Sequence, residues 1–432
     1  MSQRSPLDSE SLAPSPKPQA PKGALAIIFF IVFIDLMGFG IIIPLLPFYV
    51  NVPQDNPFKV TLLFSIYSVC QFIGAPILGA LSDRIGRRPV LAFSQVGSAV
   101  GYILLGLATQ FHWSHAWMLI SMVYLSRVID GFTGGNISTA QAYISDVTTA
   151  KNRAKGMGLL GAAFGIGFAA GPFLGGVLGS IHVSIPAYVA AGFSAAAAVL
   201  TLAKLPESRT HKPTEAENWL HPRRFAPLMR NRPLVQLLMI SFCLMAAFVM
   251  MESTVGLYLN GLLGWEARKV GWYFAYCGLI IVIVQGGLIG RLTKRLGDWP
   301  LAIAGPLLVA VGMAGYVWTG HWRGASAIFG ILMVAGAINA AGRSFQMPTI
   351  SSLISKFTSR GDQGAVFGLY SGISSLARVA GPIIAGALYP FLRHTAQYLA
   401  AAIIAFLMGL WLMTLRQRAP HEVAGDGASE PG

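Results

Sequence analysis

The sequence predicts an all-α polytopic membrane protein, with twelve transmembrane helices in two pseudo-symmetric six-helix bundles. Three observations predict it. The 432 residues are 54% hydrophobic and only 11% charged, against roughly 25% charged in soluble domains. Apolar runs of about 20 residues recur along the chain, each long enough to cross a hydrocarbon core about 30 Å thick. The second half also repeats marks of the first at an offset of about 210 residues.

Helices are expected at 24–49, 59–81, 89–109, 115–146, 153–179 and 184–204, and again at 233–260, 267–292, 299–319, 324–356, 363–388 and 394–415. The first holds one ionisable group between Gly23 and Gln54, Asp35 in "IDLMGFG". A carboxylate at mid-helix costs about 2.5–3.5 kcal/mol on insertion scales and is a functional candidate by default. The second and third helices join through "GALSDRIGRRP" (79–89), where Gly86 permits a tight turn and Arg84, Arg87 and Arg88 stay in water or meet lipid phosphate. Asp83 is not needed for topology there; against a helix N-terminus or an arginine it would form a breakable latch.

On the fourth helix, Arg127 and Asp130 are three residues apart and share a face. Counting about 1.5 Å per residue puts Arg127 about 18 Å deep and Asp35 about 17 Å deep, so three charges lie near one plane. The fifth helix repeats glycine at helical spacing, including Gly167, Gly171, Gly175 and Gly176, beside Pro172. Small residues let backbones approach closely, and the proline invites a kink. The sixth helix is rich in alanine, and a polar stretch follows it. In the second half, "GPIIAG" repeats "GPFLGG", Lys269, Val270 and Phe274 repeat Lys59, Val60 and Phe64, and "GRLTKRLG" (290–297) repeats "GALSDRIG" with Lys294 where Asp83 stood. The seventh, tenth and eleventh helices bring their own charges, Glu252, Arg343 and Arg378, whereas the ninth has none.

A formal net charge of +14 suggests nucleic acid in a soluble protein, but here it follows topology. With both termini cytoplasmic, 23 Lys and Arg face the cytoplasm and 5 lie outside, as the positive-inside rule requires. No nucleic-acid partner is therefore expected. The divisions are a disordered cytoplasmic tail (1–23), an N-terminal bundle (24–204), a cytoplasmic linker (205–232), a C-terminal bundle (233–415) and a cytoplasmic tail (416–432). The first segment lacks the apolar core and small-residue cleavage site of a signal peptide. Cys70, Cys243 and Cys277 fall inside helices as small packing residues. No metal motif, phosphate loop or nucleophile–base set is present, so neither an enzyme nor a cofactor is expected.

These motifs resemble those of the major facilitator superfamily. "GALSDRIGRRP" resembles its loop signature at Gly79, Leu81, Asp83, Arg84, Gly86, Arg87 and Arg88. "RVIDGFTGG" is similar to its fourth-helix signature at Arg127, Gly131, Gly134 and Gly135. Gly167, Gly171, Pro172, Gly175 and Gly176 match the fifth-helix signature of its drug:proton antiporters, and residues 126–176 particularly resemble tetracycline-resistance exporters. The resemblance implies alternating access between the halves, a bacterial inner membrane, a monomer, and small-molecule substrate and protons as partners. It implies that Asp146 pairs with Arg87, that Asp83 faces the eleventh helix near Gly364, and that these close the cytoplasmic side. It also implies a functional acid on the first helix beside the fourth-helix arginine. Asp130 stands where the family more often has an uncharged polar residue, and the third- and ninth-helix acids of tetracycline exporters have no counterpart, so substrate identity does not transfer.

The expected function is proton-coupled efflux of drug-like or other small amphipathic molecules; the alternative is a uniporter or symporter of an endogenous metabolite or lipid. Asp35, Arg127 and Asp130 are the proton-coupling candidates, and the sequence leaves both acids open as the carrier. Candidates for the substrate cavity are Tyr67, Gln71, Asn136 and Gln141 in the first half. In the second half they are Glu252, Asn260, Gln285, Asn339, Arg343, Gln346 and Arg378.

Overall fold

A computed structural model describes residues 23–49, 57–111, 116–148, 160, 163, 166–167, 170–208, 230–322, 324–358 and 363–418. Most of the two expected tails and of the linker lies outside the described residues. The membrane helices are α1 (Ala24–Ile42), α2 (Pro57–Ile85), α3 (Arg87–Gln110), α4 (116–147), α5 (Ala170–Gly179) and α6 (Ile185–Lys204). The second set is α7 (Arg232–Leu263), α8 (Ala267–Leu296), α9 (Asp298–Thr319), α10 (Ala325–Lys356), α11 (Gln363–Leu388) and α12 (Ala396–Arg418). Ten of them are long and apolar enough to cross a membrane. Every backbone polar group in hydrocarbon must be satisfied within the segment, which is why the apolar runs become helices.

Three helices depart from the uninterrupted spans expected of them. The first stops at Ile42 and passes through a 3-10 turn, Ile43–Leu45, before a last helical turn Leu46–Tyr49; Pro44 removes the N–H that would continue the ladder. In α4, a 3-10 turn Gly134–Asn136 separates Ala116–Thr133 from Ile137–Val147. In α8, the five residues Val284–Leu288, with Gly286 and Gly287 among them, form a π-turn. Four helices also run three or four residues past their expected ends, α2 to Ile85, α7 to Leu263, α8 to Leu296 and α12 to Arg418.

The halves are built alike. In the first, α2 packs on α4, α4 on α3, α3 on α6, and α6 on α1; in the second, α8 packs on α10, α10 on α9, α9 on α12, and α12 on α7. Each contact therefore recurs six helices later. The glycine–proline repeat serves the same purpose in both. A Cβ on Gly171 of α5 would run into Gly40 and the Met37 carbonyl of α1, and one on Gly381 of α11 would meet Ala246 and Val249 of α7. Lipid supplies no hydrophobic drive between helices, so such backbone approach is what holds them. Replacing Gly175, whose Cβ would strike the Ile41 carbonyl, by valine is expected to destabilise the purified protein by about 1–3 kcal/mol. Thermal unfolding in detergent checks this.

An even number of spans returns the chain to the face on which it began, here called the termini face. The halves meet toward the opposite face. Ser65 Oγ of α2 donates to the Val379 carbonyl of α11 at 3.3 Å, and Gly176 of α5 lies against Gly271 of α8. Leu45, Tyr49 and Val60 share one core with Leu257, Ala267 and Tyr389 of the other half. Toward the termini face, Gly286, Gly287 and Gly290 of α8 and Gly368 and Gly372 of α11 have open space beside them.

Candidate functional site

Fixed positions for polar side chains in the first half come from α3 and α4. The motif glycines of α4 face α2: a Cβ on Gly131 would meet the Tyr67 carbonyl, one on Gly134 the Tyr67 hydroxyl, and one on Gly135 the backbone of Ala75. That clamp turns Arg127 and Asp130 toward α3. Arg127 Nη1 lies 3.2 Å from Asp130 Oδ2, and the two residues are only 2% and 1% exposed. The guanidinium stands 5.7 Å from the centre of the Tyr102 ring, and Ser98 and Tyr102 lie beside Asp130. Asp35 is different. It is half-buried, accepts from Gln95 Nε2 at 3.3 Å, and has Asn136 at its side. The sequence reading grouped Asp35, Arg127 and Asp130 by depth, and the structure separates an enclosed ion pair from a half-buried acid. Gln95, Ser98 and Tyr102 were missed because the membrane-embedded part of α3 carries no acid to draw attention.

Gln71 Nε2 donates to the Tyr67 hydroxyl at 3.3 Å and to the Gly134 carbonyl at 3.1 Å, and Phe39 stacks on Tyr67 at 4.8 Å. The Tyr67 hydroxyl lies within coulombic range of Asp35, Asp130, Arg127 and, from the other half, Arg378. Glu252, Arg343 and Arg378 form a second group within coulombic range of one another.

The remaining cavity candidates sit elsewhere. Asn260 Nδ2 donates to the Trp265 carbonyl at 2.9 Å and ties the α7–α8 turn. Asn339 and Gln346 are buried where α10 meets Gly312 and Gly305 of α9. Gln285 lies half-buried in the π-turn of α8, and Gln141 is exposed on α4.

Helix α5 touches both sides of the site. Gly167, Gly171 and Gly175 pack on Leu36, Gly40 and Ile41 of α1, just beyond Asp35, while Gly176 meets α8; Pro172 lies beside Gly40, and its carbonyl faces Gly271.

At the termini face, Arg87 Nη2 pairs with Asp83 at 2.8 Å and Arg87 Nε with Asp146 at 3.2 Å, and Nη1 donates to Ser82 Oγ. Arg84 is exposed, Gly79 lies against Ser138 of α4, and the Arg88 guanidinium donates to the Leu202 carbonyl. Asp83 therefore pairs across the α2–α3 turn; the α10–α11 connection, 359–362, lies outside the described residues.

Sequence reasoning missed Glu207, in "LPES" after α6. Its carboxylate accepts from the backbone N–H groups of Arg87 at 2.9 Å and Arg88 at 3.1 Å, capping α3 where the helix dipole favours an anion. Ser208 Oγ donates to Asp146 at 3.2 Å. Gly86, at φ 105°, makes the turn, and a Cβ there would collide with Glu207. Glu207→Ala is expected to cost about 1–2 kcal/mol, as for lost N-caps, measured as a lower thermal midpoint.

The second half repeats this arrangement with the charges reversed. Gly297, at φ 80°, makes the α8–α9 turn, and Asp298 Oδ2 pairs with Lys356 at 2.8 Å and accepts from Ser352 Oγ at 2.7 Å. At the offset of the repeat, Asp83, Arg87 and Asp146 become Lys294, Asp298 and Lys356. The sequence reading noted Lys294 in place of Asp83 but not Asp298 and Lys356, which complete the reversal.

The chain matches the family model described as Major Facilitator Superfamily over residues 28–332 and 323–431. It is 31% identical to the tetracycline resistance protein, class C, of Escherichia coli over 408 residues, covering 92% of this chain and 97% of that protein. It is 27% identical to multidrug resistance protein 1 of Bacillus subtilis (strain 168), covering 92% and 96%. Among solved structures, the human organic anion transporter MFSD10 (TETRAN) superposes with a TM-score of 0.69 at 23% identity, covering 91% of this chain and 100% of that one. The nucleoside transporter NupG gives a TM-score of 0.71 at 13% identity, covering 92% and 100%.

Proposed function

The chain belongs to the Major Facilitator Superfamily, and on that premise we propose that it exports drug-like amphipathic molecules in exchange for protons by alternating access. One observation carries the proton assignment: Asp35 is half-buried, whereas Asp130 is enclosed with Arg127 at 3.2 Å. Asp35 takes up a proton when the cleft faces the outside and releases it when the cleft faces the cytoplasm. Arg127 and Asp130 fix α3 and α4 behind it. The excess of Lys and Arg at the termini face supports a cytoplasmic side there, and the open space beside the α8 and α11 glycines on that side supports a cleft that opens inward. A monomer in a bacterial inner membrane, with six-helix units at 24–204 and 233–415, completes the reading. Two relatives named for drug resistance support an efflux role.

Each inward proton gains about 2.3 kcal/mol per 100 mV of membrane potential, which drives the opposite movement of substrate. In proteoliposomes holding a pH gradient, tetracycline is expected to release protons in step with its own transport. Transport unchanged when the gradient is collapsed overturns the antiport reading.

A further inference from the structure

Three charged side chains from three helices of the second half converge without partners. Glu252 of α7 is 7% exposed, and its Oε1 is buried without a hydrogen bond. Arg343 of α10 and Arg378 of α11 are half-buried and make no hydrogen bond or ion pair among the described residues. The Arg343 guanidinium lies over the ring of Phe248, one turn before Glu252 on α7. All three are within coulombic range of one another, and Tyr370 of α11 is within range of both arginines. Charges kept for architecture alone would be paired, as Arg127 and Asp130 are in the other half; these three instead leave their hydrogen-bonding capacity unused at membrane depth.

We propose that Arg343 and Arg378 are the acid-binding half of the substrate site and that the ligand is an amphiphilic organic monoanion. Guanidinium groups present planar forks that match a carboxylate, sulfonate or phosphate ester. Glu252 sets the charge. Two arginines against one carboxylate leave a single net positive charge, which one anionic group neutralises. The direction of binding follows from the neighbours. Arg378 is within coulombic range of Tyr67 in the first half, so the apolar body of the ligand lies against Tyr67, Phe39 and Phe248 while its acid end enters the second half.

This inference rests on the transporter reading for its meaning, but equilibrium binding tests it without transport. The full chain, purified in detergent, is titrated with dansylglycine, a carboxylate, and with the neutral dansylglycinamide, following dansyl fluorescence. The carboxylate is expected to bind at least tenfold more tightly than the amide. Arg343→Gln and Arg378→Gln are each expected to abolish that preference while leaving amide affinity unchanged, and Glu252→Gln to tighten the carboxylate severalfold. Equal binding of the two probes, binding of neither, or an equal loss of both in the arginine variants overturns the proposal. The wild-type comparison decides even where a variant fails to fold. Asp35→Asn keeps the preference for the carboxylate. Wild-type transport that is not linked to protons, with the preference for the carboxylate intact, therefore refutes the antiport reading alone.

Discussion

Asp35→Asn reduces substrate-linked proton release to the level of protein-free liposomes while substrate exchange across the membrane continues. The amide fills the same space and can still face Gln95, whose side chain donates to Asp35 at 3.3 Å, but it neither takes up nor releases a proton. Exchange requires only that the halves rock with substrate bound. Net export against a gradient requires the proton. Asp35→Glu restores part of the coupling, since a carboxylate remains in the half-open position on α1. Proton release measured with a pH-sensitive dye, beside counterflow of labelled tetracycline, separates the two activities. Full coupled export by the asparagine variant would remove Asp35 from the mechanism.

The second large effect falls on stability. Asp130→Ala leaves Arg127, 2% exposed, charged and without its partner at 3.2 Å. Breaking a buried pair from one side costs roughly 3–5 kcal/mol, a large part of the stability of an ordinary domain. The variant is expected at low yield and with a sharply lowered thermal midpoint. Replacing both residues with apolar ones of similar volume, Arg127→Met with Asp130→Leu, recovers most of that loss, because apolar substitutes for a buried pair are often neutral or better. Failure of the double variant to recover would show that Arg127 is held by Tyr102 and the surrounding polar groups rather than by Asp130.

Much of the fold was legible because a bilayer leaves few choices: twenty apolar residues must be helical. The repeated glycine–proline pair marked how α5 and α11 lie on α1 and α7. Depth counting placed Asp35, Arg127 and Asp130 in one layer, but depth carries no azimuth. Which acid is enclosed was decided by Gly131, Gly134 and Gly135, which lock α4 to α2 and turn Asp130 away. The same gap misplaced Asn260, Asn339 and Gln346, polar residues that serve a turn and the α9–α10 contact. Glu207 was invisible for another reason: a carboxylate just after a helix reads as solvated unless the turn it caps is known.

The reversed charges at the termini face bear on the ancestry of the molecule. A six-helix unit that once paired with its own copy would have set like charges in equivalent places on both partners. With Asp83, Arg87 and Asp146 answered by Lys294, Asp298 and Lys356, neither half can stand in for the other, and two copies of either would lose that reciprocity of sign. The fusion of the halves is thereby recorded as an irreversible division of labour, one carried by charge on a backbone that has kept its twofold plan.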